Sequence, residues 1–145
     1  MSTYKAAYPA QVSVDPEVVR FFENFYAVSD TPGAHDVYVD QFTQDATFKL
    51  GSKTSQGRKE ITDLRLGMWT AVSQRKHTVE KVFPFGNNSH EVMLYGTVEY
   101  ELKAGGKANV EWGGRAELVK SNEDGKFRMQ FYQVYLDTAA LSAKK

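Results

Sequence analysis

Residues 91–136 read EVMLYGTVEYELKAGGKANVEWGGRAELVKSNEDGKFRMQFYQVYL, and this stretch decides the fold. Apolar and polar residues alternate through it in three runs, the two-residue period of strands with one buried and one wet face. Val92–Leu102 sets Val92, Leu94, Val98 and Tyr100 on one side. Val110–Val119 does the same with Trp112, Gly114, Ala116 and Leu118, and Phe127–Leu136 with Phe127, Met129, Phe131, Gln133 and Tyr135. Gly105-Gly106 and Glu123-Asp124-Gly125 stand between the runs as tight turns, and links this short join antiparallel neighbours. The opposite side carries Tyr95, Thr97, Glu99 and Glu101 on one strand and Arg115 and Glu117 on the next. That set is expected of an outer face with cross-strand ion pairs.

Upstream, His77–Phe83 predicts another strand, ended by Pro84 and the turn Gly86-Asn87-Asn88-Ser89. The helices come earlier. Asp15-Pro16-Glu17 is a start signal, with an N-cap carboxylate, a proline at the first helical position and an acid in the first turn. Val18, Phe22, Phe25 and Tyr26 follow at helical spacing, widened by Phe21 and Val28, up to Ser29-Asp30 before Thr31-Pro32-Gly33. A second, short helix is expected over Ala34–Phe42, and a third over Arg58–Val72 with Ile61, Leu64, Met68, Trp69 and Val72 inward. Ala46–Leu50 reads as a short strand, and the polar stretch between Gly51 and Gly57 as a second short strand or a hairpin. Helices first and long strands last predict an α+β fold with a curved, mostly antiparallel sheet wrapped around helices and a central pocket between them. The expected organisation is a flexible arm over 1–14, a single domain over 15–141 and a tail over 142–145.

Composition narrows the function classes. The 145 residues fit one core. Eighteen basic residues balance eighteen acidic ones, so no charge excess points to nucleic acid or to an anionic membrane. The chain has no cysteine, which excludes disulfides and thiolate chemistry. It shows no apolar signal core at its start and no membrane-length apolar run, so the expected compartment is the cytoplasm. His35, His77 and His90 lie in separate elements without metal-ligand spacing, so no metal is expected. No glycine-rich phosphate loop is present, so no cofactor is expected either. Aromatic residues reach 13% of the chain, enough to build a core and also line a site for a flat, greasy ligand.

The run Phe42-x-x-Asp45-Ala46-Thr47-Phe48, then Gly57-Arg58-x-x-Ile61, His77 opening a strand, and long strands ending in Tyr135-x-Asp137 resemble the nuclear transport factor 2-like superfamily. Its SnoaL-like branch of small polyketide cyclases and isomerases is the nearest in pattern, over roughly residues 15–141. The resemblance implies a cystatin-like half-cone, often dimeric through the outer sheet face. Ketosteroid isomerases of this fold place a carboxylate base where this chain has Leu50, and a tyrosine near Phe22. Scytalone dehydratase places a tyrosine and a histidine that match Tyr26 and His77, but the aspartate following that tyrosine is Ala27 here, and a second histidine falls near Trp112.

His77 and Tyr26 are therefore the catalytic candidates. A histidine can take or give a proton near neutral pH, and a phenol can orient an oxygen. Phe22, Trp69, Trp112, Phe131 and Gln133 are the candidate ligand-binding residues, with Gly113-Gly114 beside Trp112 suggesting a bend in the sheet. The alternating faces offer no carboxylate to orient His77. Two readings stay open. One is a cofactor-independent isomerase, cyclase or dehydratase for a small, apolar or aromatic, oxygenated molecule. The other is a non-catalytic binding or interaction module. A homodimer is expected in both.

Overall fold

In the computed structural model of this protein, residues 4–137 are described; 138–141 of the expected domain and the expected tail 142–145 lie outside them. Three helices, α1 (Pro16–Ser29), α2 (His35–Asp40) and α3 (Gly57–Met68), pack against a curved, unclosed six-stranded sheet. The strands are β1 (Phe42–Leu50), β2 (Lys53–Gln56), β3 (Val72–Pro84), β4 (Glu91–Leu102), β5 (Lys107–Lys120) and β6 (Phe127–Leu136). Their order across the sheet is β2-β1-β6-β5-β4-β3. Every neighbouring pair is antiparallel except β1 with β6.

Local chemistry explains the helix boundaries. The Asp15 carboxylate accepts a 2.9 Å hydrogen bond from the Glu17 N–H, capping the first turn of α1 with Pro16 behind it. Val18, Phe22, Phe25 and Tyr26 are buried on its inner face. Two expected helices run too long. The second stops at Asp40 and Phe42 already opens β1. The third stops at Met68, and the chain enters β3 at Val72, five residues before the expected start at His77. Polar Ser73-Gln74-Arg75-Lys76 hid that part of the strand.

Curvature comes from bulges and one close approach. Gly96 faces the core on β4, where a Cβ would stand 1.8 Å from the Thr78 carbonyl oxygen on β3. Only glycine lets the two backbones come this near. Register slips beside it, between Val79 and Lys81. A second slip, between Glu117 and Leu118 of β5, leaves Gln130 as an extra residue on β6. One added residue reverses every later side chain. Phe127 and Met129 thus point inward, followed by Tyr132 and Val134 rather than Phe131 and Gln133.

Residues 4–14, expected as a loose arm, are tied along β3 and the β3–β4 turn. Ala7 N–H donates to the Glu80 carbonyl and Val82 N–H to the Ala7 carbonyl, both at 3.0 Å, and Asn88 N–H donates to the Ser13 carbonyl at 2.7 Å. No helix among the described residues is long and apolar enough to cross a membrane.

Candidate functional site

Between the helices and the concave face lies a cavity of about 200 Å³. Its walls are mostly apolar, from Phe48 and Leu50 on β1, Val98 on β4, Val110 and Trp112 on β5, and Tyr132 and Val134 on β6. A buried cavity of roughly 150 Å³ takes a benzene ring, so this one suits a single ring with a small substituent.

His77 lines the cavity from β3, opposite Val98. Its Nδ1 is 2.6 Å from Oδ1 of Asp30, and its backbone N–H donates to Oδ2 of Asp30 at 2.7 Å. The expectation that no acid orients His77 is therefore wrong. The acid is the residue that ends α1, not a residue on an alternating strand face. Asp30 stands four residues, about one turn, beyond Tyr26 and so reaches the same side. Its side chain is only 5% exposed and that of His77 14%. A third donor, the Tyr4 hydroxyl, reaches Oδ2 at 2.8 Å, and burial together with Asp30 pushes the Tyr4 phenol pKa up. The carboxylate can only accept, so Nδ1–H donates, and in the neutral ring this leaves the lone pair on Nε2. No hydrogen bond reaches Nε2 from the described residues.

Arg65 of α3 holds Asp30 in place. It is fully buried, and its guanidinium donates to the carbonyls of Val28, Ser29 and Thr31 on both sides of Asp30, and to Nδ1 of His35. The end of α1 is thereby capped by a side chain from another helix, which satisfies carbonyls that the helix itself leaves open. Burial lowers the Arg65 pKa, while Tyr38, whose ring lies 4.4 Å from the guanidinium, offsets part of that drop.

Tyr26 stands behind the cavity wall. Its ring is 5.1 Å from His77 and 5.3 Å from Trp112, and its hydroxyl shares a 2.7 Å hydrogen bond with that of Tyr132, which does line the cavity. Burial pushes both phenols well above their ordinary pKa, so the pair remains neutral. Of this pair, Tyr132 rather than Tyr26 lines the cavity. Trp112 is a wall residue. Trp69 is buried beside the cavity, its ring 4.9 Å from the Arg75 guanidinium. Phe22 is a core residue packed edge-on against Phe21 and does not line the cavity. Phe131 and Gln133 lie on the outer face because of the Gln130 bulge. The Phe131 ring sits 4.1 Å from the Arg115 guanidinium, and Gln133 stands opposite Arg115 in the register.

Arg75 escaped the sequence reading altogether. It faces the cavity two residues before His77, on the same side of β3, and counting back by two from Val79 through His77 would have found it. No group of three or more His, Asp or Glu close enough to hold a metal ion occurs among the described residues.

No protein-family model matches the chain, and no curated protein sequence matches it. Solved structures do. A protein of Novosphingobium aromaticivorans provisionally described as a scytalone dehydratase superposes with a TM-score of 0.74 at 11% identity, over 85% of this chain and 83% of that one. A protein of Jannaschia provisionally described as a SnoaL-like polyketide cyclase gives 0.70 at 14% identity, over 94% and 98%. Nuclear transport factor 2 of Cryptosporidium parvum gives 0.67 at 14% identity, over 88% and 100%. At these identities the likeness is one of fold: the chain has the fold of the nuclear transport factor 2-like proteins.

Proposed function

We propose that this protein is a proton-transfer enzyme of the isomerase, cyclase or dehydratase type, acting without a redox cofactor on a small, mostly apolar, oxygenated molecule. The observation that carries this reading is the Asp30–His77 pair at 2.6 Å, with the imidazole on the wall of a mostly apolar cavity. A carboxylate that accepts from Nδ1–H fixes the tautomer, orients the ring and stabilises the imidazolium formed when Nε2 takes a proton. His77 is the general base and then the general acid. Asp30 positions it. The Tyr132 hydroxyl, backed by Tyr26, and the Trp112 indole N–H, which has no partner among the described residues, are donors for the oxygen of an enolising carbonyl or a departing hydroxyl. Isomerisation, aldol cyclisation and dehydration of such molecules share one opening step, removal of a proton next to a carbonyl.

That step can be read without knowing the natural substrate. Phenylacetone, a single ring with an acidic C–H beside a ketone, is incubated in D₂O and the loss of its α-proton signal is followed by NMR. The wild type accelerates exchange over buffer, and His77→Gln lowers that acceleration by about 10²–10⁴-fold, the usual worth of a positioned acid–base group. Exchange at the buffer rate, or an active His77→Gln, overturns the proposal and leaves a binding module.

We also propose a homodimer formed through the outer sheet face. Phe83, Met93, Tyr95 and Tyr135 are exposed apolar residues there, and the Phe83 and Tyr95 rings stack at 6.1 Å. Light scattering should give twice the 16.4 kDa chain mass, and the chain mass alone at high concentration contradicts it.

A further inference from the structure

Three arginines are buried, and they differ in one respect. Arg65 is satisfied by three carbonyls and His35, and Arg128 by Asp40 and Asp124. Arg75, only 8% exposed, donates from Nη2 to the Met68 carbonyl at 2.9 Å and, among the described residues, makes no ion pair and leaves Nη1 without a partner. Its guanidinium lies between the rings of Trp69 and Tyr100, at 4.9 and 5.1 Å, on the wall of the cavity. Arg75, by its charge and by a side-chain hydrogen bond, pulls the phenol pKa of the adjacent Tyr100 down against the larger upward push of burial. The bare atoms share one sign. All four buried side-chain atoms lacking a partner among the described residues are N–H donors, and two of them, Arg75 Nη1 and Trp112 Nε1, belong to cavity-lining residues. Asp137 also lines the cavity and is exposed.

From this we infer that the cavity takes an anionic ligand, an aromatic or similarly apolar molecule bearing a carboxylate-type group that pairs with Arg75. A permanent charge that protein groups only half satisfy, flanked by two ring faces, is a built receptor for a planar anion. A mostly apolar surround makes that pairing worth more than it would be in water. The strand sets the spacing. Arg75 and His77 leave β3 on one side two residues apart, about 6.6 Å along the chain. The anionic group and the carbon that yields its proton are therefore held roughly a ring's width apart, and the charge marks the end of the substrate that does not react. The inference rests on the cavity being a ligand site, as proposed above.

The test compares phenylacetate with phenylacetamide, which has the same shape without the charge, by calorimetric titration of the wild type, Arg75→Met and Arg75→Gln. Phenylacetate should bind the wild type at least 10-fold more tightly than phenylacetamide. Both variants should lose about 10- to 100-fold in phenylacetate affinity, the worth of a charge-assisted bond, with phenylacetamide changed less than threefold. Equal binding of the two probes by the wild type overturns the inference even if neither variant folds, as does phenylacetate binding that survives both substitutions. A wild type that exchanges phenylacetone protons but ignores the charge on phenylacetate defeats the Arg75 assignment alone. One that prefers phenylacetate but exchanges nothing defeats the proton-transfer reading alone.

Discussion

Asp30→Asn tests the geometry around His77 at a single atom. The amide has the shape of the carboxylate, but one of its two ends must be a donor. The His77 backbone N–H points at Oδ2 from 2.7 Å and cannot rotate away, so the amide oxygen must take that place. The amide NH₂ then occupies the Oδ1 place, 2.6 Å from Nδ1, and forces Nδ1 to become the acceptor. The imidazole proton moves to Nε2, and the base is blocked. Loss of the correct tautomer and of the charge behind it should reduce phenylacetone exchange by about 10³–10⁴-fold. Stability should fall too. Three hydrogen bonds change from charge-assisted to neutral, a difference of about 1 kcal/mol each, and both side chains are too buried for solvent to screen much of it. A total near 3 kcal/mol leaves a typical domain folded, so urea unfolding and the exchange rate can be read on one sample. A folded Asp30→Asn that exchanges protons within about threefold of the wild type refutes the reasoning.

Other perturbations reach different parts of the account. Arg65→Met removes the donor to three carbonyls around Asp30 and should cost about 3–5 kcal/mol, read as a lower urea midpoint. Gly96→Ala puts a methyl into the Thr78 carbonyl and should destabilise by more than about 3 kcal/mol; a change below 1 kcal/mol contradicts the close approach. Alkaline solution should unfold the protein steeply. Tyr26, Tyr38 and Tyr132 stay protonated when folded because burial raises their pKa, whereas the unfolded phenols lose protons near pH 10. The unfolded state then binds fewer protons, so stability is intact below pH 10 and falls above it by about 1.4 kcal/mol per pH unit for each phenol. Denaturant titrations between pH 9 and 11 measure that slope.

How far the sequence could be read follows from where its signals are local. The α1 start was legible because Asp15-Pro16-Glu17 cap it without help from the rest of the chain. The inner faces of β4 and β5 were legible because their alternation runs unbroken past Trp112. The inner face of β6 was not, because the Gln130 bulge is set by its pairing with β5 and has no composition signal of its own, and this moved Phe131 and Gln133 to the wrong side. Asp30 was legible as a helix stop but not as the partner of His77, since nothing in the spacing brings the end of α1 to β3. Arg75 was missed because a charged residue at a core position reads as solvent-exposed until something explains its burial.

The most direct measurement is a long-range ¹H–¹⁵N correlation spectrum of the His77 ring, recorded at neutral pH before and after adding phenylacetone. The expected spectrum shows a ring protonated at Nδ1, with the Nε2 signal shifting as the ketone enters. A ring protonated at Nε2, or an Nε2 signal that ignores the ketone at saturating concentration, contradicts the claim that this imidazole works as a base on the cavity wall.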